Sequence, residues 1–334
     1  LNRKLKKVIL DVDTGSDDAV AIISALLCDE LDVLGIMASF GNCALKYTLK
    51  NTLRVVDLLK ADVPVFAGCP EPMVKNLLPG REANNSRIVP KVVVDGKTML
   101  IHENDLPLPE PTSRAQEKPA CVWLWETLKY AEEKITIIPV GPMTNLAMVL
   151  RMDPSVAENI EEVVFMGGGV SINNVTPCAE VNVFNDPDAA KIVLHSGVPV
   201  TMVTLDATCS SQFGYEDVER IAAIGNPAAK FTAEIIRHYI DTTNAANVFG
   251  KEKRAPIHDV LAVCAAIDKS VLTDVRREAA DIDISGGIAD GQLVVDHRPI
   301  ADPKYPIDIA YHGDGDKLLN MVCSHLEKYA AKVK

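Results

Sequence analysis

The feature that most narrows the fold is a change of hydrophobic period, from strand to helix and back, that runs twice within the first 70 residues. Residues 8–12 form a short apolar strand that leads into TGSDDAVAIISALLC, where Ala21 and Leu26 can supply the buried face of a helix. A second strand at 33–38 precedes a helical pattern over 45–59, in which Leu49, Leu53, Val56 and Leu59 recur at spacings of three and four. Val63, Val65 and Phe66 mark a third strand. Strand, helix, strand, helix, strand is the rhythm of a parallel sheet covered by helices on its faces, which predicts an α/β fold.

The rhythm fails over 68–119, a stretch rich in proline, asparagine, glycine and charge where only 92–94 reads as strand. So long an excursion in an α/β domain is usually a binding loop, a lid or an oligomer contact. Alternation then resumes, with helices predicted at 121–131, 143–152, 187–195, 217–224, 228–240, 258–267 and 316–329. The strands expected between them are 135–140, 163–166, 198–203, 282–285, 293–296 and 307–309. No repeat and no long polar linker divides the chain, so one domain over 1–334 is expected, with that excursion.

Composition then excludes several functions. With 48% apolar and 24% charged residues, a chain of 334 residues can bury a large core without disulfides or a structural metal. Its apolar runs fall short of the roughly 20 residues of a membrane span and none resembles a secretory leader, so a soluble, cytoplasmic protein with no membrane partner is expected. The 46 acidic and 34 basic residues leave a net charge of -12, which repels phosphate backbones and argues against nucleic acid as a partner. The eight cysteines stand singly, without a CxxC pair, and read as mostly buried thiols.

The strongest chemical signal is DVDTGSDDA, residues 11–19, where Asp11, Asp13, Asp17 and Asp18 crowd a strand end and a helix start. Such a cluster repels itself unless a cation compensates it, and oxygen ligands suit calcium or magnesium rather than zinc. The bland alternative is helix capping by Ser16 and Asp17 beside a solvated turn. A phosphate-transferring pattern with nucleophile and acid two residues apart is also suggested, although Gly15 stands where that pattern has threonine. PIHD, 256–259, can bring Asp259 and His258 to different parts of one pocket, or else serve as a helix cap and a buried histidine. In VFMGGG the glycines permit close backbone approach and Met166 presents a thioether surface. Glu180 and Asn182, two apart, share one face if extended, and a carboxylate with an amide there can grip vicinal hydroxyls. Asn185 or Asp186, followed by Pro187, reads as the start of a helix.

The ordered motifs DVDTGSDDA, FGN at 40–42, IPVGPMTNLA at 138–147, MGGG, AEVNVFNDPDAA and PIHD resemble the nucleoside hydrolases, the inosine-uridine-preferring N-ribohydrolase family, across about 7–325. That resemblance implies an open, mostly parallel sheet flanked by helices, a calcium ion at its carboxyl edge, and hydrolysis of the N-glycosidic bond of ribonucleosides. It implies that Asp13 activates water and binds calcium, with Asp18, Asp259 and the Val140 carbonyl as further ligands. Asp17, Asn42, Met166, Asn174, Glu180 and Asn182 are implied as ribose contacts, with His258 near the leaving base. A homodimer or homotetramer is expected on the same ground. Two segments depart from the family pattern: IHEND keeps a histidine at His102 but has Glu103 for the usual glycine, and ADGQLVVDH lacks a common Thr-Arg segment. Both bear on the base side, where Arg237, His238 and Tyr239 are further candidates. His195 and His325 read as ordinary helix residues, and Trp123 and Trp125 as core or interface.

Overall fold

The computed structural model describes residues 4–82, 91–94, 96–248, 253–298 and 306–333. Its central sheet runs in the order Leu293–Val295, Leu272–Ile282, Pro306–Gly313, Val200–Val203, Ile160–Met166, Ile135–Pro139, Lys6–Val12, Leu31–Ala38 and Val65–Ala67. The pairings from Pro306–Gly313 to Val65–Ala67 are all parallel, and Leu272–Ile282 runs antiparallel to both of its neighbours.

Side-chain alternation along the strands builds two apolar layers, one per face. Val8, Leu10, Val12 and Ile138 pack on one side with the helices Ser16–Leu27, Pro227–Ala246 and His258–Ile267. Ile9, Ile135 and Ile137 point to the other, against Ala120–Lys129, Thr144–Met152 and Pro187–Leu194. Trp123 belongs to this second layer, stacked on Phe66 with ring centroids 4.2 Å apart. Among the described residues no helix is long and apolar enough to cross a membrane.

Lys6–Val12 lies between Leu31–Ala38, which follows it in sequence, and Ile135–Pro139, which comes much later. Strand order therefore reverses there, and in open α/β sheets the crevice beyond the carboxyl ends of such strands is where ligands bind. Asp13 and Val140 follow directly on these two strands.

Two local expectations need correction. A strand was expected at 282–285, but Ile282 ends Leu272–Ile282, and Asp283 turns the chain by accepting from Ser285 N at 3.1 Å. The strand before it is polar because both of its faces are half-exposed, with Arg277 paired to Asp308 at 3.0 Å across the ladder, so no apolar alternation marks it. Glu180 and Asn182 would share a face if extended; instead Glu180 caps the short helix Val181–Asn185 and Asn182 sits in its first turn. The cap is Glu180's own carboxylate, which accepts from Asn182 N at 2.9 Å and Val183 N at 3.2 Å. Helix initiation at Asp186 follows the sequence reading, the side chain accepting from Ala189 N at 3.1 Å.

Candidate active site

The loop between Val12 and Ser16 holds its shape through Asp18, whose carboxylate accepts from Asp13 N at 3.0 Å, Gly15 N at 2.8 Å and Asn42 Nδ2 at 3.0 Å. Gly15 is the cap residue, and a Cβ there would lie 2.6 Å from His102 Nδ1. The bland capping by Ser16 and Asp17 is thus replaced by Gly15 and Asp18. Asp13 sits in a cradle: Asn42 N donates to its Oδ2 at 2.5 Å, and a Cβ on Gly141 would fall 2.8 Å from its Oδ1. A Cβ on Gly41 would collide with the same carboxylate. The FGN and VGP motifs are walls around one aspartate.

Helix Ser16–Leu27 packs against His258–Ile267, which brings Asp259 to Asp17 and Asp18. One oxygen from each of the three lies within 4.8 Å of the others, a group that could hold a metal ion. All three occupy first helical turns, where the positive end of the peptide dipoles favours anions. That help is insufficient. Burial, then the neighbouring Asp18, pushes the Asp17 carboxyl up to about 8, and burial raises Asp18. Burial followed by Asp17, Asp18, Asp13 and Glu180 holds Asp259 well above the ordinary carboxylate range. Among the described residues no lysine or arginine pairs with this triplet, and buried Asp17 Oδ1 accepts no hydrogen bond, with His102 Nδ1 3.9 Å away. Hard oxygen donors with excess negative charge fit a divalent cation such as calcium. The sequence reading put Asp13 with the ion and Asp17 with the sugar; the structure groups Asp17 with Asp18 and Asp259, and Asp13 stands outside that triplet.

Asp17, Asn42, His102, Val140, Met166, Asn174, Glu180, Asn182, His258 and Asp259, all named from sequence, line one cavity together with Val181 and Tyr239. Asn182 Nδ2 donates to the carbonyls of Val140 at 2.8 Å and Met166 at 3.1 Å, tying two strand ends to the helix. The Glu180 carboxylate also accepts from Gly168 N at 2.9 Å, which uses the MGGG backbone. On the opposite wall His258 Nδ1 lies 2.7 Å from Thr208 Oγ1, and burial pushes the imidazole down to about 3, so it is neutral near pH 7. Its ring meets Tyr239 edge-on, centroids 6.2 Å apart, and Tyr239 in turn lies 5.6 Å from His102.

Of the three candidates on helix Pro227–Ala246, only Tyr239 faces this cavity. Arg237 pairs with Glu219 at 2.6 Å, and His238 meets the Leu100 carbonyl at 2.9 Å. The signal was the apolar stripe Ile235, Ile236, Tyr239, Ile240, which puts Arg237 off the buried face. Thr208 was missed, because a threonine that orients a distant histidine leaves no local pattern. Glu103 accepts from Leu100 N at 2.9 Å, shaping the turn that carries His102. Asp11 lines no part of the cavity; its Oδ1 accepts from Asn145 Nδ2 at 2.8 Å.

The cavity holds about 40 Å³, room for an ion or water rather than for a larger ligand. Clefts of about 480 Å³ over Arg254 and Asp314, and about 430 Å³ over Arg151 and Lys191, are roomier but lie away from the carboxylates. Convergent buried charge, rather than volume, marks the site.

Residues 8–320 match the family model described as inosine-uridine preferring nucleoside hydrolase. The chain is 35% identical over 330 residues to a pyrimidine-specific ribonucleoside hydrolase RihA of Escherichia coli O1:K1 / APEC, covering 97% of this chain and 99% of that protein. Among solved structures it is similar to a purine-preferring ribonucleoside hydrolase from Gardnerella vaginalis, with a TM-score of 0.81 and 30% identity over 97% of this chain and 99% of that one. An inosine-guanosine nucleoside hydrolase shares the fold at a TM-score of 0.79 and 22% identity, covering 96% of this chain and 99% of that one.

Proposed function

The chain belongs to the inosine-uridine preferring nucleoside hydrolase family and is an N-glycosidase of ribonucleosides, and we propose that it works through a calcium ion in the carboxylate cluster and a ribose grip beside it. Asp13, Asp18, Asp259 and the Val140 carbonyl hold the ion in this reading, with Asp17 at the boundary between ion and sugar. The observation that carries it is the buried triplet of Asp17, Asp18 and Asp259, raised in pKa and paired with no lysine or arginine among the described residues.

Calcium, when bound, supplies positive charge that offsets these carboxylates and makes water easier to deprotonate. Asp13, oriented by Asn42 N and the two glycines, takes the proton from that water. Asp17, Asn42, Asn174, Glu180 and Asn182 meet the ribose hydroxyls, and Met166 lies against the sugar. As the base departs the anomeric carbon gains positive charge, which the fixed carboxylates of Asp17 and Glu180 favour electrostatically. Direct attack by water needs no covalent sugar intermediate. His258, held neutral by burial, orients the leaving base as a hydrogen-bonding group instead of storing a proton for it, with His102 and Tyr239 beside it. The relatives differ by name in base preference, so the sugar is the part of the substrate this reading assigns.

Inosine, uridine, adenosine, cytidine and guanosine, with nucleotides as controls, should release free base and reducing sugar without phosphate. Phosphate release with no loss of base would favour a phosphohydrolase, and tight binding without products a nucleoside-binding protein. Metal analysis should find about one calcium per chain; stoichiometric zinc without calcium would reject the ion assignment. We also propose a homodimer or homotetramer, which sedimentation showing a stable 36.1 kDa species at micromolar concentration would reject.

A further inference from the structure

The excursion beginning at 68 contributes His102 to the cavity, but its first part reaches behind the site. Lys75 opens the turn Lys75–Leu77 and is 1% exposed, an unusual state for lysine. Its Nζ donates to the Phe184 carbonyl and lies 3.1 Å from the centroid of the Phe184 ring. Nearby ties run to the same stretch of chain. Met73 N donates to Asp186 Oδ2 at 2.9 Å, and Arg81 Nη1 to Asp188 Oδ2 at 2.7 Å.

Phe184 belongs to Val181–Asn185, a helix of five residues that cannot sustain itself without tertiary support. Its amide donates to the Glu180 carbonyl at 2.8 Å, which ties Phe184 directly to the capping residue. The carbonyl that Lys75 meets lies at the negative end of the helix, where a cation is favoured, and the ammonium over the ring adds a cation–π attraction. An apolar side chain could fill the volume but supply neither contact.

We propose that Lys75 is a positioning residue for the ribose grip: by holding Phe184, it fixes the helix that Glu180 caps and that carries Asn182. The proposal rests on the reading of Glu180 and Asn182 as sugar contacts. Lys75 should also leave a signature in pH. Asp290, Asp186 and Asp188 favour its ammonium while burial and Arg81 oppose it, and burial wins, pushing the group down to about 8. Above that pH the charge over the Phe184 ring is lost.

The test compares wild type with Lys75→Met, Lys75→Arg and Glu180→Gln, measuring kcat and KM for cytidine and adenosine, whose bases lose no proton in this range, between pH 6 and pH 9.5, and amide exchange across 180–186. Lys75→Met should lower kcat/KM about tenfold or more, with faster exchange across 180–186 and unchanged exchange across 8–18. In the Glu180→Gln background the same substitution should change kcat/KM clearly less than in wild type, because only the route through Asn182 remains. Wild type should lose kcat/KM above about pH 8, and Lys75→Arg should match wild type at pH 7 while lacking that alkaline limb. If Lys75→Met does not fold, the arginine variant carries the test. Unchanged exchange, an undiminished effect without Glu180, or an alkaline limb retained in Lys75→Arg would overturn the proposal. Faster exchange with unchanged kcat/KM would overturn it differently, by showing that Lys75 holds the helix but Glu180 and Asn182 do not grip the sugar.

Discussion

Asp188 and Asp290 meet the buried guanidinium of Arg81, whereas Asp17, Asp18 and Asp259 meet at the strand ends with no lysine or arginine paired to them among the described residues. Arg81 donates to both oxygens of Asp290 at 3.0 Å and to Asp188 at 2.7 Å, a planar fork that satisfies the carboxylates within the chain. It joins the excursion to the loop in ADGQLVVDH through Asp290. In the other cluster the protein supplies only amide hydrogens and helix ends, which lower the electrostatic cost without cancelling it. Neutralised charge ties two segments together, and uncompensated charge makes a group that could hold a cation.

The largest expected effect lies beside the uncompensated cluster, at Asp13. Asp13→Asn keeps the shape and removes the base, so kcat should fall by about 10²–10⁴-fold with little change in melting temperature. Near-normal turnover would remove Asp13 from that role. At the compensated cluster the pattern should invert. Arg81→Met leaves Asp290 buried and unpaired, a loss of about 3–5 kcal/mol in denaturant unfolding, much of which Asp290→Leu should restore in the double variant. A loss below about 1 kcal/mol would mean that the tie is not structural.

His325 sharpens the contrast as a buried group kept neutral. It contacts Ser24 Oγ at 2.6 Å, and burial, aided by Lys328, pushes its pKa from 6.5 down to about 4. The unfolded chain therefore takes up this proton first. Its contribution is full above about pH 6.5 and is lost as pH falls toward about 4, up to about 3 kcal/mol. Unfolding free energies of His325→Asn between pH 4 and pH 7 should lack that slope.

Calcium at about one hundred times its Kd should stabilise the chelator-treated protein by about 2.7 kcal/mol. Asp259→Asn should abolish this gain while raising the melting temperature without calcium, since a buried carboxyl that ionises only at a cost beside Asp17 and Asp18 is gone. The smallest forecast concerns the sugar. If Asp17 and calcium both meet the 2′-hydroxyl, 2′-deoxyinosine should show kcat/KM at least about tenfold below inosine, from a lost charged hydrogen bond of about 1.5–3 kcal/mol. Equal values would dissolve the ribose grip and leave the carboxylate contrast standing.

Much of this architecture is local, and local features are readable. The apolar runs at 8–12 and 33–38, the helix after TGSDD and the Asp186–Pro187 start all emerge in the structure because period and capping act over a few residues. The crowding of Asp11, Asp13, Asp17 and Asp18 at a strand end is equally explicit in the sequence. Strand Leu272–Ile282 escaped because its exposed faces carry arginine and glutamate, and 180–182 because a carboxylate closing its own helix outweighs the alternation of two residues.

The sequence by itself determined many of the elements that form and that carboxylates crowd where a strand becomes a helix, since adjacent residues impose both. Tertiary structure decided which carboxylates share the site. Asp259 joins Asp17 and Asp18 only because two helices pack side by side, while Asp11, on the same strand as Val12, is turned away to Asn145. It also chose Tyr239 over Arg237 and His238, and set Lys75 behind the Glu180 helix. Strand order and helix packing bring distant segments together through buried area summed over the whole core, a quantity that no short window of sequence contains.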